Sequence, residues 1–205
     1  MNKKYELTKE TKTLADGTVL HRIRALRDIP RRGVEAGELG GWAEKENNLS
    51  QKDDAWVYGN AEMSGNAKVY DNAKVFGNAK VSGNAEVYGK AWVSDNAKVS
   101  GDAKVSGDAK VYGDAKVSGD AEVKSSEDYC VFKNTWSSFR WFTYTRSNKM
   151  WSVGCFYGTG KELIKKAYAD SEVSGKCYEA IVRAVAAIEA SKAAYTKYEQ
   201  EGGAK

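Results

Sequence analysis

The side chains best suited to gripping a ligand fall between residues 136 and 151: Trp136, Phe139, Arg140, Trp141, Tyr144, Arg146 and Trp151. Aromatic rings offer flat faces for a base or an apolar partner, and a guanidinium offers a planar fork of donors for phosphate or carboxylate. Together they can hold a nucleotide, a single nucleic-acid strand or another protein. Strand alternation turns about half of such a set inward, where it builds a small core instead. No glycine-rich phosphate loop stands beside them, since Gly154 and Gly158-Thr159-Gly160 are isolated glycines.

Catalysis has little to draw on. General acid–base chemistry near neutral pH is usually served by histidine, and the chain has one, His21, which reads as an ordinary strand residue. The three cysteines, Cys130, Cys155 and Cys177, lack metal-ligand spacing and read as reduced thiols. Asn and Asp recur at a fixed step, as in Asn84, Asp102 and Asp120. Two exposed carboxylates one strand apart repel by only ~0.9 kcal/mol in water, and Asn and Asp suit turns, so no bound cation is required. The expectation is no enzyme, no cofactor and no metal.

The element that must position these groups is written in the middle of the chain. From Val57 to Val123 a valine returns every sixth residue, with Met63 as the one exception, and an alanine precedes each by two, from Ala55 to Ala121. Gly-Asn or Gly-Asp fills most of the corners between them. Valine fits a buried pleated surface, alanine fits a tight corner, and glycine followed by Asn or Asp suits positive φ. A six-residue unit buries nothing alone, so successive units must stack. Flanking residues sort by every third unit: Ser64, Ser82, Ser100 and Ser118 form one column; Trp56, Lys74, Trp92 and Lys110 another; Lys68, Glu86, Lys104 and Glu122 a third that alternates in sign. The side chains therefore follow a coil three repeat units long with three flat faces. The expected fold is mainly β, a triangular prism of nearly four such coils.

This motif resembles the hexapeptide-repeat family over roughly Leu39 to Lys124. The resemblance implies a left-handed parallel β-helix, often trimeric; the period itself fixes no hand. The family's best-known activity, acyl transfer, uses a histidine, and a carbonic-anhydrase-like branch binds metal through three histidines. This repeat has none. The outer segments resemble bacteriophage and prophage accessory proteins of unassigned function. The strings that carry this are Gly37-Glu-Leu-Gly-Gly-Trp-Ala43, Asn48-Leu-Ser50 running into Asp54-Ala-Trp-Val57, and Gly154-Cys-Phe-Tyr-Gly-Thr159. They imply a genetic setting, not a reaction.

Three segments follow: 1–48, an N-terminal β-hairpin cap; 49–124, the repeat; and 125–205, an α+β module of a hairpin and two helices. The cap's hairpin turns at Ala15-Asp-Gly17, and Trp42 with that hairpin is expected to close the coil. Arg22, Arg24, Arg27, Arg31 and Arg32 read as a solvated face answered by Asp28, Glu35 and Glu38. In the module, strands over 139–146 and 150–156 flank a turn. Thr159 and Glu162 form a capping box that opens a helix to about Tyr168, and a longer helix spans about 175–201. Along it Tyr178, Ile181, Val185, Ile188, Lys192 and Tyr195 make a heptad seam, which can pack on the module or join three helices.

One face of the prism collects Trp56, Tyr58, Phe76, Trp92 and Tyr112, with Tyr70 and Tyr88 on a neighbouring face. Apolar area of that kind is normally covered, by the C-terminal module, by a sister subunit or by a foreign partner. Net charge is +4, too weak alone to announce nucleic acid, and no apolar run nears the length of a membrane-spanning helix. Met1-Asn-Lys-Lys lacks a signal-peptide pattern. The chain thus reads as a cytoplasmic, non-membrane, non-catalytic phage accessory protein. It is expected as a homotrimer that contacts a host protein through its C-terminal module, with a host-defence component as the candidate partner. The alternative is a nucleotide or nucleic-acid binder using the Arg/aromatic hairpin, and an acyltransferase is a distant third.

Overall fold

The computed structural model describes residues 3–200, with side chains described through residue 192. Twelve two-residue strands, β4 (Trp56–Val57) to β15 (Glu122–Val123), recur at each repeat. Each pairs in parallel with the strand three repeats away, as Lys98 does with Lys80 and Lys116. Every repeat valine and alanine is fully buried in one continuous core. Each such valine contributes roughly 1.5–3 kcal/mol of transfer free energy, offset by the entropy of ordering its coil. Most corners carry a glycine at positive φ; at Asp71 and Asp95 (both φ 57) the carboxylate accepts the Gly89 or Gly113 N–H of the next coil. Asp tolerates this left-handed backbone better than most residues.

The solenoid has about five turns rather than nearly four. The extra coil begins at β3 (Leu39–Ala43), which pairs in parallel with β5 (Glu62–Met63), and includes a parallel bridge from Leu49 to Val69. The steps from Trp42 to Glu62 and from Leu49 to Val69 are each two positions longer than a regular lap. The excess is the insertion in the bend between Leu49 and Val57.

β1 (Tyr5–Thr13) and β2 (Val19–Ala25) form the expected antiparallel hairpin, and β2 pairs with β3, so the hairpin prolongs one prism face into a seven-stranded sheet. Ala43 points into the core, so alternation sends Trp42 outward, in register with Glu62. Trp42 therefore does not plug the coil; Lys12 and Arg22 cover its ring. The end is closed by buried Tyr5 and Ile23, with Tyr5 set edge-on to Trp56. The arginine cluster is a solvated face only in part, with Arg24 and Arg31 exposed. Arg22 donates to the Gly59 carbonyl (2.9 Å), and Arg32 donates to the carbonyls of Asp54 (2.6 Å) and Asn72 (2.5 Å). Arg31 and Arg24 lie 3.6 Å from Asp54 and Glu6. Arg22 and Arg32 clasp the cap to the first coils, whereas Arg24 pairs within the cap and the Arg31 side chain is largely exposed.

Beyond the solenoid, β16 (Tyr129–Lys133), β17 (Trp141–Thr145), β18 (Met150–Val153) and β19 (Phe156–Thr159) form an antiparallel sheet in that order. The expected hairpin is β17–β18. Phe156 begins a further strand instead of ending β18, because Gly154 (φ 61) turns the chain. The capping box is present, and α1 (Gly160–Asp170) follows it. α2 (Glu172–Gln200) starts before Gly175, which lies within it against Tyr168. Phe142, Trp151, Leu163, Ala167 and Tyr178 make a second core between sheet and helices.

The other side of this sheet closes the last coil. There the coil's donors have no further coil to bond. The Lys110 N–H donates to Ser126 Oγ (3.1 Å), Lys116 N–H to Thr143 Oγ1 (2.9 Å) and Glu122 N–H to Ser147 Oγ (2.8 Å). One hydroxyl thus serves each prism face, and the sheet edges are blunted.

Candidate partner-binding surface

The structure divides the seven hairpin residues. Trp151 is 2% exposed and sits in the module core with the half-buried Tyr144 packed on it. Burial raises the Tyr144 pKa. Arg146 makes a bidentate pair with Glu189 on α2, with contacts of 2.8–3.0 Å, and those hydrogen bonds raise its pKa. These three hold the module together. The other four stay on the surface: Trp136 is 75% exposed, Phe139 67% and Trp141 37%, and Arg140 is exposed.

Their placement has local causes. Asn134 accepts the N–H groups of Trp136 and Ser137, folding residues 134–138 into a tight loop that holds Trp136 out. Phe139 takes positive φ (53) on leaving it. Alternation along β17 sends Phe142 to the helices, and Trp141 with Thr143 to the solenoid side.

There they meet Lys80, Lys98 and Lys116, three lysines in register on one prism face. Phe139, Arg140 and Trp141 form one wall of a groove of about 470 Å³, and these lysines, with Asn78, Asn96 and Asp114, form the other. This column carries like charge on consecutive coils, whereas Lys68, Glu86, Lys104 and Glu122 alternate. Lys80 is answered by Glu62 (2.7 Å). Lys116 donates to the Gly154 carbonyl (2.7 Å), and burial, then the Lys98 charge, lowers its pKa. Lys98 has no ion pair among the described residues. The arrangement is a cationic stripe facing exposed aromatic rings and suits an acidic, partly apolar surface.

The prism's aromatic face is not covered by the C-terminal module, which sits on the last coil instead. Trp56 is buried under the cap, and Tyr58 donates to the Arg32 carbonyl (3.2 Å). Phe76 meets Trp92 edge-on at 6.3 Å, and Trp92 and Tyr112 remain exposed. Tyr70 and Tyr88 stack at 5.0 Å on the neighbouring face. Of the helix seam, Tyr178, Ile181 and Val185 pack on the module core while Ile188 is 62% exposed; the Tyr195 side chain lies outside the described residues. Three seam positions are thereby engaged within the chain.

His21 lies in β2 with Nδ1 3.1 Å from the Thr8 carbonyl. Cys130, Cys155 and Cys177 are unpaired, and burial raises the Cys130 pKa. Among the described residues no cluster of three or more His, Cys, Asp or Glu side chains could hold a metal, and no helix is long and apolar enough to cross a membrane. Sequence reasoning missed the lysine stripe as a site; its signal was the unbroken Lys80, Lys98, Lys116 column.

The fold and this surface define a capped β-solenoid protein with a groove between its coil and its C-terminal sheet. No protein-family model matches the chain, and no curated protein matches it.

Proposed function

We propose that this chain is a non-catalytic binding protein, in which the β-solenoid is a rigid platform and the groove beside β17 grips an acidic surface of a protein partner. The observation that carries this reading is the unalternated lysine stripe facing exposed Phe139, Arg140 and Trp141. Lys80 has Glu62 and Lys116 has the Gly154 carbonyl, but Lys98 stands between two like charges without an ion pair among the described residues, and a partner carboxylate relieves that cost. Exposed Trp and Phe beside them supply the apolar anchors that dominate binding energy. The phage-like strings extend the reading to a bacteriophage or prophage accessory protein in the host cytosol that blocks a host protein, with a defence component as the partner. The hexapeptide-like repeat extends it to a trimer, assembled through the prism faces, since much of the helix seam packs internally.

The test is capture from host lysate by the full chain and by two surface variants, Lys98→Glu and Trp136→Ser with Phe139→Ser. A specific partner retained by the wild type, released by added salt and lost in both variants supports the reading. Equal capture by all three overturns it. Light scattering on the purified protein decides the trimer.

A further inference from the structure

The repeat breaks its own rules at one place on a different face. From position 60 to position 120 the residue that ends each corner is Asn or Asp, except Lys90. Two residues later Trp92 stands in a column whose neighbours are Lys74 and Lys110. The two other corner irregularities, Asp71 and Asp95, have structural reasons, since their carboxylates accept backbone N–H groups of the next coil. Lys90 has no such reason: its ammonium has no partner among the described residues. A local rule broken without a structural gain points to a site.

Lys90 and Trp92 line one groove of about 480 Å³ with Arg31, Arg32, Lys74 and Lys110. Five cations converge there, and Asp108 is the one acid of the lining. Lys74 and Lys110 lie 4.8 Å and 4.9 Å from the Trp92 ring centre. Lys74 and Trp92 also line a shallow aromatic hollow of about 360 Å³ with Tyr58 and Phe76. Trp92 is 36% exposed and separates the cationic side from the aromatic side. The site therefore offers charge for phosphates and ring surface for a planar group, side by side, in a volume typical of small-ligand sites.

We infer that this groove binds a free nucleotide, its phosphates on Lys90, Arg31 and the flanking lysines and its base against Phe76 and Trp92. Charge complementarity selects the phosphates: although Arg31 also faces Asp54 at 3.6 Å, the groove's own lining sets five cations against Asp108 and gains most from a multiply charged anion. Ring surface selects a base over inorganic phosphate. The site is separate from the β17 groove, so either reading can fail alone.

The experiment is calorimetric titration of the full chain with ATP, AMP and adenosine at low salt. Affinity is expected to fall in that order. Two variants restore the repeat's own consensus and so preserve the fold: Lys90→Asn and Trp92→Lys. Lys90→Asn is expected to weaken ATP by roughly tenfold, the loss of one charge-assisted contact, and Trp92→Lys to abolish the preference for a nucleotide over tripolyphosphate. Adenosine binding as well as ATP, no ATP binding at millimolar concentration, or variants equal to wild type would overturn the inference. So would an oligothymidylate that binds through these residues more tightly than ATP, because the occupant would then be a strand.

Discussion

Thr143 accepts the backbone N–H of Lys116 at 2.9 Å, and through that bond the C-terminal sheet is fastened to the last coil. Thr143 is nearly fully buried, so no water replaces its hydroxyl easily. Thr143→Val keeps the shape and removes the acceptor. The expected cost is about 1–3 kcal/mol, the desolvation penalty of an unanswered donor, read as a lower denaturation midpoint. An unchanged midpoint would show that the hydroxyl is dispensable.

Gly119 and Gly113 separate backbone strain from crowding. Both hold positive φ, 66 and 67. A Cβ on Gly119 would fall 1.9 Å from the Tyr157 hydroxyl, whereas one on Gly113 meets nothing within 4 Å. Gly113→Ala should cost about 1 kcal/mol from backbone strain alone. Gly119→Ala should cost at least ~1 kcal/mol more and should increase hydrogen exchange in β19, because Tyr157 must leave its bonds to Ser118 and Asn148. Equal costs would refute the contact.

Neighbouring residues on one strand and its corner should respond in opposite ways to the same charge. Val99 is fully buried, while Ser100 is half-buried on the outer face, 3.3 Å from Ser118 Oγ. Val99→Asp is expected to unfold the solenoid, because an unpaired carboxylate is forced into the valine core. Ser100→Asp should cost less than about 1 kcal/mol. Circular dichroism of the two purified variants distinguishes them.

Lys4 gives a pH dependence of defined sign. It is fully buried, and its ammonium donates to the carbonyls of Asp53 and Ala55, both at 2.8 Å. Burial lowers its pKa from 10.5 to about 8. Between those values the unfolded chain binds the proton more than the folded chain does, so this group makes stability rise with pH across the window. Lys4→Met removes the rise, though it also leaves two carbonyls unanswered. From about pH 7.5 to about pH 9.5 the wild type should gain on the order of 1–2 kcal/mol relative to the variant. A constant difference between the two proteins across that range contradicts the assignment.

The coil, its three faces and its column order were legible because Val, Ala and Gly recur at fixed intervals and each fills a steric requirement of its position. The insertion before Val57 follows from the same spacing, since Leu49 precedes Val57 by eight residues where the repeat has six. The ends were harder. Nothing local marks Trp42 as outward until Ala43 is known to point inward, and Arg22 and Arg32 find their carbonyl partners only when distant coils stack. The hairpin residues read as one set because they are close in sequence, but alternation and the α2 packing send Trp151, Tyr144 and Arg146 to one side and Trp141 to the other. The lysine stripe and the Lys90–Trp92 groove needed three-dimensional register, which brings together residues one or more coils apart.

The hydroxyl cap on the last coil makes the molecule a ruler. Its hydroxyls meet backbone donors that any last coil presents, and among the described residues only Lys116 and Asp120 add side-chain hydrogen bonds of their own. Adding or deleting one lap of three repeats would leave both ends matched and would move the C-terminal module by one strand spacing, about 4.8 Å, along the axis. Reach can thus be adjusted in fixed increments while the clamp at the tip keeps its orientation.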